Sequence, residues 1–218
     1  MKNRFIIGAT LIILFTTFIS EKNFTIENLT INEIRFENNK IVSDEELIKD
    51  LSFLYNKNII FLNTLEIKKK LKKNSFIESL QIKKIYPNEL VIKIFEKQPI
   101  AIIFQENKKF FLGKKFELIK YKDILKYENL AVINGNEKSF KKLFINLKKT
   151  KFPTDLVKEY ELLKSGRWNI ELIDGKLIKL PINNYKQSLI NFLTIKSNSN
   201  FEKYKIFDYR LNDQLILK

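Results

Sequence analysis

Residues 5–19 carry no charge and follow a short basic stub, residues 1–4, that holds Lys2 and Arg4. An apolar run of this kind is no ordinary soluble helix; it is either a signal-peptide core or a membrane anchor. Residues 5–19 as helix span about 22 Å, short of a hydrocarbon core of about 30 Å. Thr16, Thr17 and Ser20, with snorkelling by Lys2, Arg4 and Lys22, make up part of the difference. Signal cleavage wants small residues at one and three positions before the cut, and Thr17-Phe18-Ile19-Ser20 lacks that spacing. The pattern therefore predicts an uncleaved transmembrane anchor over residues 5–20. Lys2 and Arg4 then keep the N-terminus in the cytoplasm and the long remainder crosses.

A polar linker, residues 21–28, leads into alternating strand and helix periods. Ile34 and Phe36 in INEIRFEN predict a strand. Ser43 and Glu46 form a capping box, with Val42 and Leu47 placed as its hydrophobic staple. The helix it starts sets Leu47, Ile48, Leu51 and Leu54 on one face. Asp44, Glu45 and Glu46 then complement the positive end of that helix and need no catalytic role. Residues 58–63 (NIIFLN) read as an extended connector, and Asn63 with Glu66 opens a second helix. That helix turns Ile67 and Leu71 inward and Lys68, Lys69, Lys70, Lys72 and Lys73 outward, as a solvated face. In residues 76–101, Leu80, Ile82 and Tyr86 alternate on the way in and Leu90, Ile92 and Ile94 on the way out. Pro87 and Asn88 stand between them, so this is a hairpin with one buried face. The order strand, helix, helix, strand, strand gives a small sheet covered by two helices.

After Pro99 the strands shorten. Residues 101–105 and 109–112 predict a hairpin across Glu106-Asn107-Lys108, and residues 129–135 a strand ending in a turn. Phe140, Leu143, Phe144 and Leu147 fall at helical spacing over residues 140–149, with Pro153 as the stop. Residues 160–163 read as extended. In RWNIELIDGKLIKLP, residues 167–181, a two-residue Asp174-Gly175 loop would set Ile170 against Lys179 and spoil the buried face. A three-residue loop with left-handed Gly175 pairs Ile170 with Ile178 and Trp168 with Leu180. Trp168 is read as a core residue in preference to an exposed anchor. Residues 185–196 form a helix with Leu189, Ile190 and Leu193 inward, and residues 204–218 form one or two strands around Asn212-Asp213.

Composition narrows the chemistry. The chain has neither Cys nor His, which removes thiol nucleophiles, imidazole acids and bases, disulfides, and thiolate or imidazole metal ligands. No acidic calcium loop and no nucleophile elbow is present, so the chain does not read as an enzyme, and no cofactor is expected. The net charge of +15 invites a nucleic-acid reading. Yet Arg4, Arg35, Arg167 and Arg210 are the only arginines, and lysine lacks the planar fork that reads phosphates and bases. With Lys, Asn, Ile and Phe all abundant, the lysines read as solvated faces of a compositionally biased chain, and no nucleic-acid partner is expected.

Taken in order, these features resemble the FtsQ/DivIB family of bacterial cell-division proteins. The carriers are IIFLN before the second helix and, above all, IYPNELVIKIFEKQPIA. Lys83, Lys84, Tyr86, Pro87, Leu90, Ile92, Ile94, Glu96, Lys97, Pro99 and Ala101 occupy the family's places. The Arg-Trp, Asp-Gly, Leu-Pro hairpin and Asp208-x-Arg210 resemble its C-terminal β-domain. Gly113-Lys114-Lys115 departs from the Asp and Gly usual after the second strand of that domain. The resemblance implies an α+β protein: a transmembrane helix, a βααββ POTRA domain over residues 29–98, and a mixed, mainly antiparallel β-domain with flanking helices over residues 99–218. It implies a bitopic inner-membrane divisome scaffold with periplasmic domains at the septum, held in the lipid bilayer through residues 5–20. Its implied partners are FtsB-like and FtsL-like division proteins. The family contact is an exposed strand edge, here residues 207–217, with Phe207, Tyr209, Arg210, Leu211, Leu215 and Leu217 as the implied partner-binding residues. The same segment also reads simply as the last strand of the sheet, with Asp208 and Arg210 paired across a surface. A POTRA-type assembly or secretion factor and a lysine-driven polyanion binder are the competing readings.

Overall fold

The structure is a computed structural model that describes residues 2–17, 29–106, 108–197, 201–211 and 214–218. Helix α1 (Lys2–Thr17) is 16 residues long, and its Ile6, Ile7, Leu11, Ile12, Ile13 and Leu14 are exposed. Among the described residues no helix is long and apolar enough to cross a membrane. The end of the predicted anchor, residues 18–20, and the predicted linker lie outside them. The chain divides into two compact units, Met1–Leu71 with Leu80–Ile94, and Lys72–Ser79 with Phe95–Lys218.

In the first unit β1 (Glu33–Glu37), α2 (Asp44–Leu51), α3 (Thr64–Leu71), β2 (Ile77–Ile85) and β3 (Glu89–Glu96) follow the predicted order. The sheet runs β1-β3-β2, with β1 parallel to β3 and Ile34 beside Leu90. Central β3 buries Leu90, Ile92 and Ile94, while Leu47, Leu51, Ile67 and Leu71 of the helices are equally buried. The Ser43 hydroxyl accepts the Glu46 N–H at 3.3 Å, as the capping box requires. Two predicted inward residues face water: Ile48 lies one position off the Leu47–Leu51 stripe, and Tyr86 falls in the turn beyond the end of β2.

The second unit is built on one sheet of nine strands, in the order β12-β11-β10-β9-β8-β7-β4-β5-β6. Its members are β4 (Pro99–Gln105), β5 (Lys108–Gly113), β6 (Leu118–Lys120), β7 (Val132–Asn134), β8 (Val157–Leu162), β9 (Trp168–Leu172), β10 (Leu177–Lys179), β11 (Ile206–Asp208) and β12 (Ile216–Leu217). Parallel pairings join β4 to β7, β7 to β8 and β10 to β11; the other neighbours are antiparallel. Gln105 pairs with Lys108, so the β4–β5 loop is one residue shorter than predicted, and Asn107 lies outside the described residues.

Helices α4 (Glu137–Lys149) and α5 (Tyr185–Lys196) bring Phe140, Leu143, Leu147, Leu189 and Phe192 into the core. Trp168 is buried, its ring 6.2 Å from that of Phe140. The predicted inward residue Ile190 is exposed instead, and Phe192 takes the core position two residues on. Helix α4 stops before Pro153 can act. Lys151 is left-handed at φ 55°, and the Phe152 N–H reaches back to the Leu147 carbonyl at 2.9 Å, closing a Schellman turn over two buried side chains.

Candidate partner-binding edge

Strand β11 owes its place to the helix before it. The β10–α5–β11 crossover lays Ile206, Phe207 and Asp208 parallel to Leu177, Ile178 and Lys179. Phe207 is fully buried, its ring 5.0 Å from Phe192 and 5.3 Å from Phe201. Aromatic contacts of this kind are worth about 0.5–1.5 kcal/mol each beyond their buried area. Its backbone lies between β10 and β12, so Phe207 supports the edge from within and presents no side-chain surface.

The outermost strand at this end is the two-residue β12. Leu217 stands opposite Phe207 and Ile216 opposite Asp208. Lys218 and Ile206 exchange hydrogen bonds at 3.1 and 2.9 Å. In an antiparallel pair alternate residues turn their backbone groups outward, so the N–H and C=O of Leu217 point away from β11 to the open side. Side chains alternate too. Leu215 and Leu217 lean on the core, and Ile216, which the sequence reading passed over, faces water. Strict period-two counting from Leu215 and Leu217 would have found it.

Beside this edge lies an open cleft of about 750 Å³ that gathers Tyr209, Arg210, Leu211 and Leu215 from the predicted set. Leu211 is exposed. Tyr209 continues β11, its N–H donating to the Lys179 carbonyl at 2.9 Å, and its hydroxyl donates to Asn191 on α5 at 2.9 Å. Burial pushes the Tyr209 phenol pKa up, so the hydroxyl remains a donor. Arg210 grips the Asp208 carboxylate through Nε at 2.8 and 3.0 Å and Nη2 at 2.5 Å. The Arg210 hydrogen bond holds the Asp208 carboxyl below its ordinary range. The lining also includes Ile182, Asn191 and Arg167. The Nε of Arg167 is buried and makes no hydrogen bond, and the residue lines the cleft. The sequence places Arg167 in the Arg-Trp start of the 167–181 hairpin and gives it no binding role; nothing in the local pattern ties it to residues some 40 positions later.

The arrangement offers recognition: an open strand edge, an exposed leucine, and two guanidinium groups, one already neutralised by a carboxylate. Among the described residues no three carboxylates are gathered that could hold a metal ion.

The architecture defines a class, an α+β protein in which a POTRA unit precedes a strand-rich unit. The family described as POTRA domain, FtsQ-type, matches residues 29–97. Cell division protein FtsQ of Rickettsia bellii is 30% identical over 196 residues, 88% of this chain and 71% of that protein. FtsQ of Rickettsia typhi is 28% identical over 86% of this chain and 70% of its own length. Cell division protein DivIB of Clostridium tetani is 29% identical over 51% of this chain and 41% of its length. This chain belongs to the FtsQ/DivIB family of bacterial cell-division proteins.

Proposed function

We propose that the protein is a bitopic inner-membrane scaffold of the divisome. Its N-terminus lies in the cytoplasm, residues 5–20 cross the bilayer, and the POTRA domain (residues 29–98) and β-domain (residues 99–218) work outside the membrane, at the septum. It recruits and holds other division proteins, FtsB-like and FtsL-like partners among them, and performs no catalysis. Family membership supports the division role, and the basic stub with the uncharged run after it supports the anchor.

The observation that carries this reading is the open edge of β12 beside the cleft. A partner segment adds a strand against Leu217, and its backbone supplies much of the affinity. Its side chains meet Leu211, Ile216 and the Tyr209–Arg210 wall, with an acidic group drawn to Arg167. Phe207 and Leu217 contribute through the sheet that they hold in place.

Leu217→Pro and Leu211→Glu in the full-length chain test the edge. The Leu217 N–H faces outward, so proline there costs no bond to β11. Both variants should bind the FtsB-like partner at least about tenfold more weakly, a loss of about 1.4 kcal/mol. The urea-unfolding midpoint should stay close to the parent's for Leu211→Glu, whereas Leu217→Pro also gives up leucine packing on the core and should lower it slightly. Undiminished binding with the fold intact removes this edge from the account.

A further inference from the structure

The first unit carries an apolar tip that its core does not use. Ile60, Phe61 and Leu65 are 46%, 85% and 64% exposed, whereas Ile59 beside them is fully buried. The tip is held in shape. The Ile60 N–H donates to Asn58 Oδ1 at 2.9 Å and the Leu65 N–H to Asn63 Oδ1 at 3.0 Å. The Lys84 ammonium donates to the carbonyls of Ile60 at 3.0 Å and Leu62 at 3.3 Å. Phe61 is thus presented to solvent by a fastened loop.

Lysines flank the tip along the chain. Leu65, Lys68 and Lys69 share one face of α3 by their spacing. Over residues 57–71 Lys57, Lys68, Lys69 and Lys70 stand against a single acid, Glu66. An apolar tip flanked by lysines matches the boundary of a bilayer, where acyl chains take the apolar side chains and anionic headgroups take the lysines. Phe61 protrudes into solvent, which suits a deformable lipid surface. Residues 18–28 join the apolar helix α1 to this unit and extend at most about 40 Å, so a bilayer that holds α1 is within reach of the tip.

We infer that the 60–65 loop of the first unit docks on a leaflet containing anionic phospholipid, with Phe61 inserted and Lys68 and Lys69 on the headgroups. The docking would orient the first unit on the membrane. It goes beyond the proposed division role and needs only the anchoring part of it.

The test uses full-length protein reconstituted in vesicles of phosphatidylglycerol and phosphatidylcholine with brominated acyl chains, which quench tryptophan on contact. Phe61→Trp reports the tip, and Ile48→Trp, exposed on α2, reports the unit's surface elsewhere. Trp168 is buried and supplies a constant background. We expect about twofold quenching of Phe61→Trp, none of Ile48→Trp, and loss of the effect after Lys68→Glu with Lys69→Glu. Equal behaviour of the two tryptophans overturns the inference. So does quenching that survives in pure phosphatidylcholine or after charge reversal, because the lysines then select nothing. A concentration-dependent blue shift of Phe61→Trp without quenching would place a second copy on the tip and overturn it also. Protein that floats with the vesicles but stays unquenched removes the tip and leaves the anchor; protein that does not float removes both.

Discussion

Tyr160 is buried on β8, and its hydroxyl makes no hydrogen bond. Burial, helped by Asp155, pushes its pKa up. A polar group left unsatisfied in a core costs about 1–3 kcal/mol, while the ring itself packs 5.1 Å from Phe140. Tyr160→Phe keeps the ring and removes the orphan, and should raise stability by about 1 kcal/mol in urea unfolding. Asp208 shows the opposite case, a half-buried carboxylate well served by Arg210. Its folded pKa lies below the unfolded value, so between the two the unfolded chain binds more protons and stability falls with falling pH. The contribution is complete above about pH 4 and is lost as pH drops through the folded value. Asp208→Asn should cost about 1 kcal/mol at neutral pH, because Arg210 is partly exposed and screened. It should also flatten the acid limb of the stability curve. Asp174, whose pKa is also lowered, keeps some slope in the variant.

At the scale of elements, the β9–β10 hairpin is where local sequence decides most. Ile170 pairs with Ile178, and the Leu180 N–H reaches the Trp168 carbonyl at 2.9 Å, the register that the three-residue loop demands. Gly175 at φ 82° supplies the left-handed turn, with no atom within 4 Å of where a Cβ would sit. Gly175→Ala should therefore cost about 1 kcal/mol through backbone strain alone, and Gly175→Asn less, both read from chemical denaturation. Helix α4 ends at Lys149, as the period predicts, but a different signal stops it. Pro153 is a visible stop signal, but the chain had already turned at Lys151 to bury Phe152 against Leu147. A lysine in the left-handed region has no local signature; the burial of its neighbour puts it there.

At the scale of the molecule, the +15 charge and the strand edge make opposite forecasts about binding. Neutralising six to ten phosphates would lose about 10³–10⁵ in affinity between 50 and 200 mM salt. The proposed strand addition to β12 would rest on backbone hydrogen bonds and apolar contact, with the Arg167 guanidinium as the main charged element. The affinity of the FtsB-like partner should accordingly fall by less than about tenfold over the same range, as titration calorimetry at several salt concentrations can measure. A steep log–log slope would instead assign the binding to the lysines.

The sequence by itself determined the elements and the family. Periodicity, the Ser43 cap, the Asp-Gly turn and the order of moderate motifs around residues 83–101 are local quantities, carried within one or two turns of chain. It also brought the eye to residues 207–217, where four of the six candidates line one cleft. Only the tertiary structure decided which of them face outward. Phe207 is withdrawn into an aromatic cluster by Phe192 and Phe201. Arg167 is set against the cleft by the β9–β10–α5–β11 path. Those outcomes depend on contacts between segments far apart in sequence, and a side chain's exposure is fixed by what packs on it, which no local pattern contains.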